Sequence, residues 1–104
     1  MGNSQDAIQE GIIAEFKEAV EEPPLYKVLL HNDDYTTKVF VIGVLRAYFN
    51  KSTEEATQIM WHIHKNGIGV CGIYPYEVAE TKVSLVSAAA RENGYPLKST
   101  LEPE

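Results

Sequence analysis

The sequence predicts an α+β domain, a three-stranded antiparallel sheet packed on three helices in the order β-α-α-β-α-β. Three observations carry that expectation. A short apolar run, Leu25 to Leu30, lacks helical periodicity and ends in a polar cluster. Three later segments repeat apolar residues at three- and four-residue spacing, the mark of an amphipathic helix. Between and after them stand two short stretches bounded by Gly67, Gly94 and Pro96, each too short for a helix and with strand composition.

Each element has its own local cause. Leu25-Tyr26-Lys27-Val28-Leu29-Leu30 reads as a buried strand running into His31-Asn32-Asp33-Asp34-Tyr35-Thr36. Thr36 or Thr37 can cap a first helix whose apolar positions are Phe40, Val41, Val44, Leu45, Tyr48 and Phe49, ending near Asn50. Ser52-Thr53-Glu54-Glu55 is a capping box, because the Ser52 and Glu55 side chains can each satisfy the other's orphan amide; it opens a second helix to about Asn66. Gly67 stops that helix, and residues 68–74 alternate as a strand. Pro75 suits the first position of a third helix, with Glu77 and Glu80 near its positive end and Val78, Ala79, Val83, Val86 and Ala90 as its core stripe. Gly94 and Pro96 end it, and Leu97 to Leu101 return as the last strand.

Length and charge set bounds on function. A chain of 104 residues with 44% hydrophobic content fits one domain with one core. The formal charge of −6 is concentrated at the start: Asp6, Glu10, Glu15, Glu18, Glu21 and Glu22 face only Lys17, whereas the remainder is nearly balanced. Residues 1–22 therefore read as a flexible acidic extension, with a thin stripe of Ile8, Ile12, Phe16 and Val20, joined by Pro23-Pro24 to a single domain over 23–104. Lacking a basic patch, the domain is not expected to bind nucleic acid. Neither a bilayer-length apolar run nor a signal-peptide pattern is present, and the lone Cys71 cannot form an internal disulfide; a cytoplasmic protein is expected.

Some apparent signatures lose their meaning once placed on elements. Gly67-Ile68-Gly69-Val70-Cys71-Gly72 matches a dinucleotide-binding fingerprint by letter, but it follows a helix and lies in a strand, the reverse of what that chemistry needs. No cofactor is expected. His62 and His64 sit two residues apart on a helix, roughly 200° around its axis, so they cannot chelate one ion together, and no metal site is assigned. Cys71 with a histidine could mimic a thiol nucleophile and base, yet a cysteine within a strand more often packs as a small hydrophobe.

The His31-to-Thr36 cluster remains. Its carboxylates and amide form either a turn that bonds its own backbone and caps the next helix, or a rigid set of acceptors that grips a cation. On the second helix Ala56, Met60, Ile63 and His64 share one face, which makes His64 a polar tip beside an apolar patch. Should that patch face the start of the first helix, Met60, Ile63 and Val41 would wall an apolar hole rimmed by Asn32, Asp33 and His64. Such a hole suits the α-amino group and first side chain of a polypeptide.

These residues carry a resemblance. Tyr26 through Thr36, Glu54 through Met60, His64, Val70-Cys71-Gly72, Glu77 through Val83, Ala90 through Asn93 and Pro96-Leu97 resemble, in order and spacing, the bacterial adaptor family ClpS over about residues 23–102. The resemblance implies a non-enzymatic adaptor that recognises substrates by a free N-terminal Leu, Phe, Tyr or Trp, an N-degron, and delivers them to the ATP-dependent protease ClpAP. It implies that Asn32, Asp33 and His64 hold the α-amino group and that Thr36, Lys38, Val41, Met60, Ile63 and Leu97 belong to the side-chain pocket. By the same resemblance Glu77 and Lys82 touch the N-terminal domain of the ATPase ClpA, and the extension before Pro23 engages its pore.

Three positions depart from the family pattern. Thr37 stands where Pro is common, Lys38 where a Met usually gates the pocket against β-branched side chains, and Lys98 where a Leu can occur. Lys38 is expected to relax the exclusion of Ile and Val or to shift preference within the Leu, Phe, Tyr and Trp set. Three other classes stay open on the residues: a general protein-interaction domain of the same fold without N-terminal specificity, a small hydrolase using Cys71 and His64, and a metal binder.

Overall fold

A computed structural model describes residues 22–104. The extension expected over 1–22 lies, Glu22 apart, outside the described residues. The elements are β1 (Leu25–His31), α1 (Lys38–Phe49), α2 (Thr53–Asn66), β2 (Ile68–Pro75), α3 (Tyr76–Glu92) and β3 (Lys98–Pro103), in the expected order. β1 is central, with β2 and β3 antiparallel on either side. A bulge between Val28 and Leu29 sets Val28 opposite Gly72 and Leu29 opposite Val70, so Cys71 is the extra residue and turns into the core.

The helix ends follow their capping chemistry. Thr37 Oγ1 accepts the amide of Phe40 at 3.1 Å to start α1. Both halves of the capping box form at α2: the Glu55 amide donates to Ser52 Oγ and the Ser52 amide to Glu55 Oε1. Gly67 closes α2 with φ of 88°, a left-handed conformation open to glycine at little cost, and its amide donates to the Ile63 carbonyl.

One core joins sheet and helices through Val28, Leu30, Val41, Val44, Leu45, Phe49, Ala56, Met60, Ile63, Cys71, Ala79, Val86 and Ala90. The structure corrects three details of the sequence reading. Val78 is 43% exposed, because the buried face of α3 runs through Ala79, Val86 and Ala90 and Val78 projects about 100° from it. Pro75 pairs with Leu25 at the end of β2 and, with ψ of 154°, caps α3 from outside instead of forming its first residue. Leu97 precedes the ladder, which begins at Lys98 opposite His31.

Candidate functional site

The loop between β1 and α1 is tied at both ends. His31 Nε2 shares a 2.8 Å hydrogen bond with Thr100 Oγ1 on β3, and the Asn32 amide donates to the Gly67 carbonyl at 2.8 Å, fastening the loop to the end of α2. Asp33 then organises the turn through Tyr35 and Thr36. Its Oδ1 accepts the amides of Tyr35 at 2.8 Å and Thr36 at 2.6 Å, and its Oδ2 accepts the Thr36 hydroxyl at 2.7 Å. Partial burial pushes the Asp33 carboxyl up, but the three bonds from Thr36 and Tyr35 outweigh it and hold the group below the ordinary carboxylate range.

Of the two sequence readings of this cluster, the turn that bonds its own backbone is seen at Asp33, while Thr37 caps α1. Asp33 makes the turn, and the turn aims its carboxylate. A carboxylate offers about four acceptor sites. Three are taken inside the loop, which leaves room for one further donor on a group that cannot rotate away.

That carboxylate stands on the rim of a cavity of about 490 Å³ lined by Asn32, Asp33, Asp34, Tyr35, Thr36, Thr37, Lys38, Val39, Val41, Met60, Ile63 and His64. The loop and the start of α1 form one wall, and α2 the other. Val41, Met60 and Ile63 are buried and supply the apolar floor, whereas Asn32 and His64 are exposed. Among the described residues none hydrogen-bonds the His64 ring or the Asn32 side chain. Gly69 of β2 keeps this wall close: a Cβ there would fall 2.6 Å from Ile63 Cγ1.

Of the nine residues expected at the amino group and pocket, eight line this cavity and Leu97 does not. Leu97 is buried in the core at 6% exposure. Lys98, beside it, is exposed on β3. The residue that sequence reasoning overlooked is Trp61, 51% exposed and one helical turn before His64. Lys38 Nζ lies 4.8 Å from the centroid of the Trp61 ring, which in turn meets the His64 ring edge-on at 5.8 Å. An exposed tryptophan at i−3 from a candidate histidine was the available signal.

The other expectations fall elsewhere. Glu77 and Lys82 line a separate groove on α3 with Val78, Thr81 and Leu85, sharing no residue with the cavity. His62 Nδ1 accepts from Asn66 Nδ2 at 3.2 Å and does not line the cavity. Among the described residues no three His, Cys, Asp or Glu side chains group as a metal site. Cys71 is 1% exposed, and burial pushes its thiol up to about 12, so it is no nucleophile for His64.

A family model described as "ATP-dependent Clp protease adaptor protein ClpS" matches residues 21–100. The chain belongs to the ClpS family. It is 58% identical over 88 residues to the ATP-dependent Clp protease adapter protein ClpS of Myxococcus xanthus, covering 85% of this chain and 82% of that one. Its identity to the ClpS of Caulobacter vibrioides is 48% over 103 residues, covering 99% of this chain and 94% of the relative. Among solved structures, that of Agrobacterium tumefaciens ClpS2 bound to L-phenylalaninamide superposes with a TM-score of 0.77 at 41% identity, over 80% of this chain and all of that one. Membership of ClpS makes this chain a Clp protease adaptor and not an enzyme, as the sequence led one to expect. No helix among the described residues is long and apolar enough to cross a membrane.

Proposed function

We propose that the cavity binds the first residue of a polypeptide through its free α-amino group and a bulky Leu, Phe, Tyr or Trp side chain, and that the chain delivers such substrates to the ATPase ClpA for degradation by ClpAP. One observation carries the reading: Asn32, Asp33 and His64 stand together on the rim of a hole whose floor is Val41, Met60 and Ile63. The α-ammonium has three N–H donors. The open acceptor site of Asp33, the Asn32 side-chain oxygen and a His64 ring nitrogen are three acceptors for them. The relative from Agrobacterium was solved with a single amino-acid amide, a molecule with a free amino group and a benzyl side chain, and this supports the same division between polar rim and apolar floor.

The energetics suit an adaptor. Burying a Leu or Phe side chain contributes about 1.5 to 3 kcal/mol, and each hydrogen bond to a charged group about as much. Association costs of about 4 kcal/mol or more offset a large part of that gain, so the complex is a reversible one that permits release. Nothing in the arrangement breaks a bond. Delivery is assigned to a different surface, the α3 groove with Glu77 and Lys82, where Val78 and Leu85 are each 43% exposed; residues 1–22 are assigned to the ATPase pore.

The test is fluorescence anisotropy with short peptides differing only in their first residue, repeated on Asp33→Ala and His64→Ala. Peptides beginning with Leu, Phe, Tyr or Trp should bind and those beginning with Ser or Glu should not, with both variants at least tenfold weaker. Binding independent of the first residue would favour a general interaction domain of this fold.

A further inference from the structure

We infer that Lys38 is a specificity-determining residue that reads the charge of the substrate's second residue, favouring Asp or Glu there over Lys or Arg. The inference rests on the proposed function, since it takes the first side chain to fill the cavity and the amino group to meet Asn32, Asp33 and His64.

The position of the Lys38 head group is the first support. Lys38 lines the cavity, yet its Nζ is 4.8 Å from the ring centroid of Trp61, which does not line it and is half exposed. The ammonium is therefore drawn toward a ring that lies outside the cavity lining. A polypeptide whose first side chain is held inside has to leave across the rim. Its second Cα follows the first by about 3.8 Å, so the second side chain comes within reach of the ammonium.

The second support is the division of charge around the mouth. Asp33 and Asp34 line the side built from the β1–α1 loop. Lys38, the first residue of α1, is the one Lys or Arg of the lining among the described residues, and its head group is drawn toward Trp61 of α2. The substrate's own ammonium meets Asp33 on the acidic side. The Lys38 ammonium has no counterpart in a free N-terminus and is complementary to a carboxylate one residue further along. Contact with the indole also narrows the Lys38 rotamers, so less freedom is lost when a carboxylate arrives.

The experiment uses the full chain and dye-labelled peptides that begin Phe-Asp, Phe-Ala or Phe-Lys and are otherwise identical. Affinities are read by anisotropy for the wild type, Lys38→Met and Lys38→Glu. At low salt Phe-Asp should bind the wild type about two- to fivefold tighter than Phe-Lys, the range of an exposed ion pair. The ratio should approach one in Lys38→Met, invert in Lys38→Glu, and shrink in the wild type at about 0.5 M salt. Equal affinities in the wild type, or a preference unchanged by Lys38→Glu, would overturn the inference while Phe-Ala still binds. Failure of Phe-Ala to bind the wild type would overturn the proposed function, and this inference with it.

Discussion

Thr36 gives Asp33 both its amide and its hydroxyl, at 2.6 Å to Oδ1 and 2.7 Å to Oδ2. The pair fixes the carboxylate plane and keeps it ionised, and it ties the rim of the cavity to the residue that precedes the α1 cap. Thr36→Val keeps the shape and removes the hydroxyl. It should lower stability by about 1 kcal/mol and weaken binding of a Phe-first peptide several-fold, measured by urea denaturation and anisotropy on the same samples.

The same contact sets a pH dependence. The folded-state value for Asp33 is depressed, so its contribution is present above the unfolded value, about 3.9, and fades as pH falls through the lower folded value. Thr36→Val should raise that folded value, so the extra stability that Asp33 gives above the unfolded value shrinks. Urea midpoints measured from about pH 2.5 to pH 6 should therefore fall less steeply with acid in the variant. Identical slopes would mean that the hydroxyl does not hold the carboxylate.

Gly69→Ala probes the opposite wall. The added methyl would meet Ile63 Cγ1, and crowding of this kind costs about 1 to 3 kcal/mol. Ile63 can yield only by moving relative to the cavity it lines, so peptides beginning with Trp should lose more affinity than those beginning with Leu. An unchanged Trp-to-Leu ratio would show that the wall relaxes elsewhere.

Cys71 should be silent toward thiol reagents. With its thiol raised to about 12 by burial, the thiolate is a negligible fraction at pH 8, and the side chain is also shielded from reagent. Ellman's reagent should titrate no thiol in the native protein and one in denaturant. Rapid native labelling would reopen the hydrolase reading.

On the proposed function, Lys38 at the cavity should change how β-branched first residues are treated. The side chain leans onto Trp61, so a gate at this position would consist of its flexible stem. Peptides beginning with Ile should bind within about tenfold of Leu-first peptides in the wild type, a difference of about 1.4 kcal/mol, and fall further behind in Lys38→Met. The same Ile-to-Leu ratio in both proteins would remove Lys38 from the gate.

Much of this was legible in the chain because the signals were local. The Ser52–Glu55 box, the Gly67 stop and the Met60-Ile63-His64 spacing each fix an element or a face within a few residues, and all appear as expected. The cluster at Asn32 and Asp33 was visible as chemistry, but a sequence cannot say whether a side chain bonds its own loop or faces a ligand; Asp33 does the first and is thereby positioned for the second. What stayed hidden depends on distant packing. Leu97 lies in the core because it precedes the ladder, Val78 is exposed because Ala79 takes the buried face of α3, and the Lys38–Trp61 contact joins residues on different helices that no periodicity relates.

On the proposed function, the Asp33 carboxylate and the His64 imidazole grip a free α-amino group above an apolar cavity. Anisotropy with one Phe-first peptide, compared with the same peptide N-acetylated, tests it most directly. The free peptide should bind in the micromolar range and acetylation should weaken binding at least a hundredfold, because Asp33 then faces a neutral amide that cannot balance its charge. Equal affinity for the two peptides would contradict it.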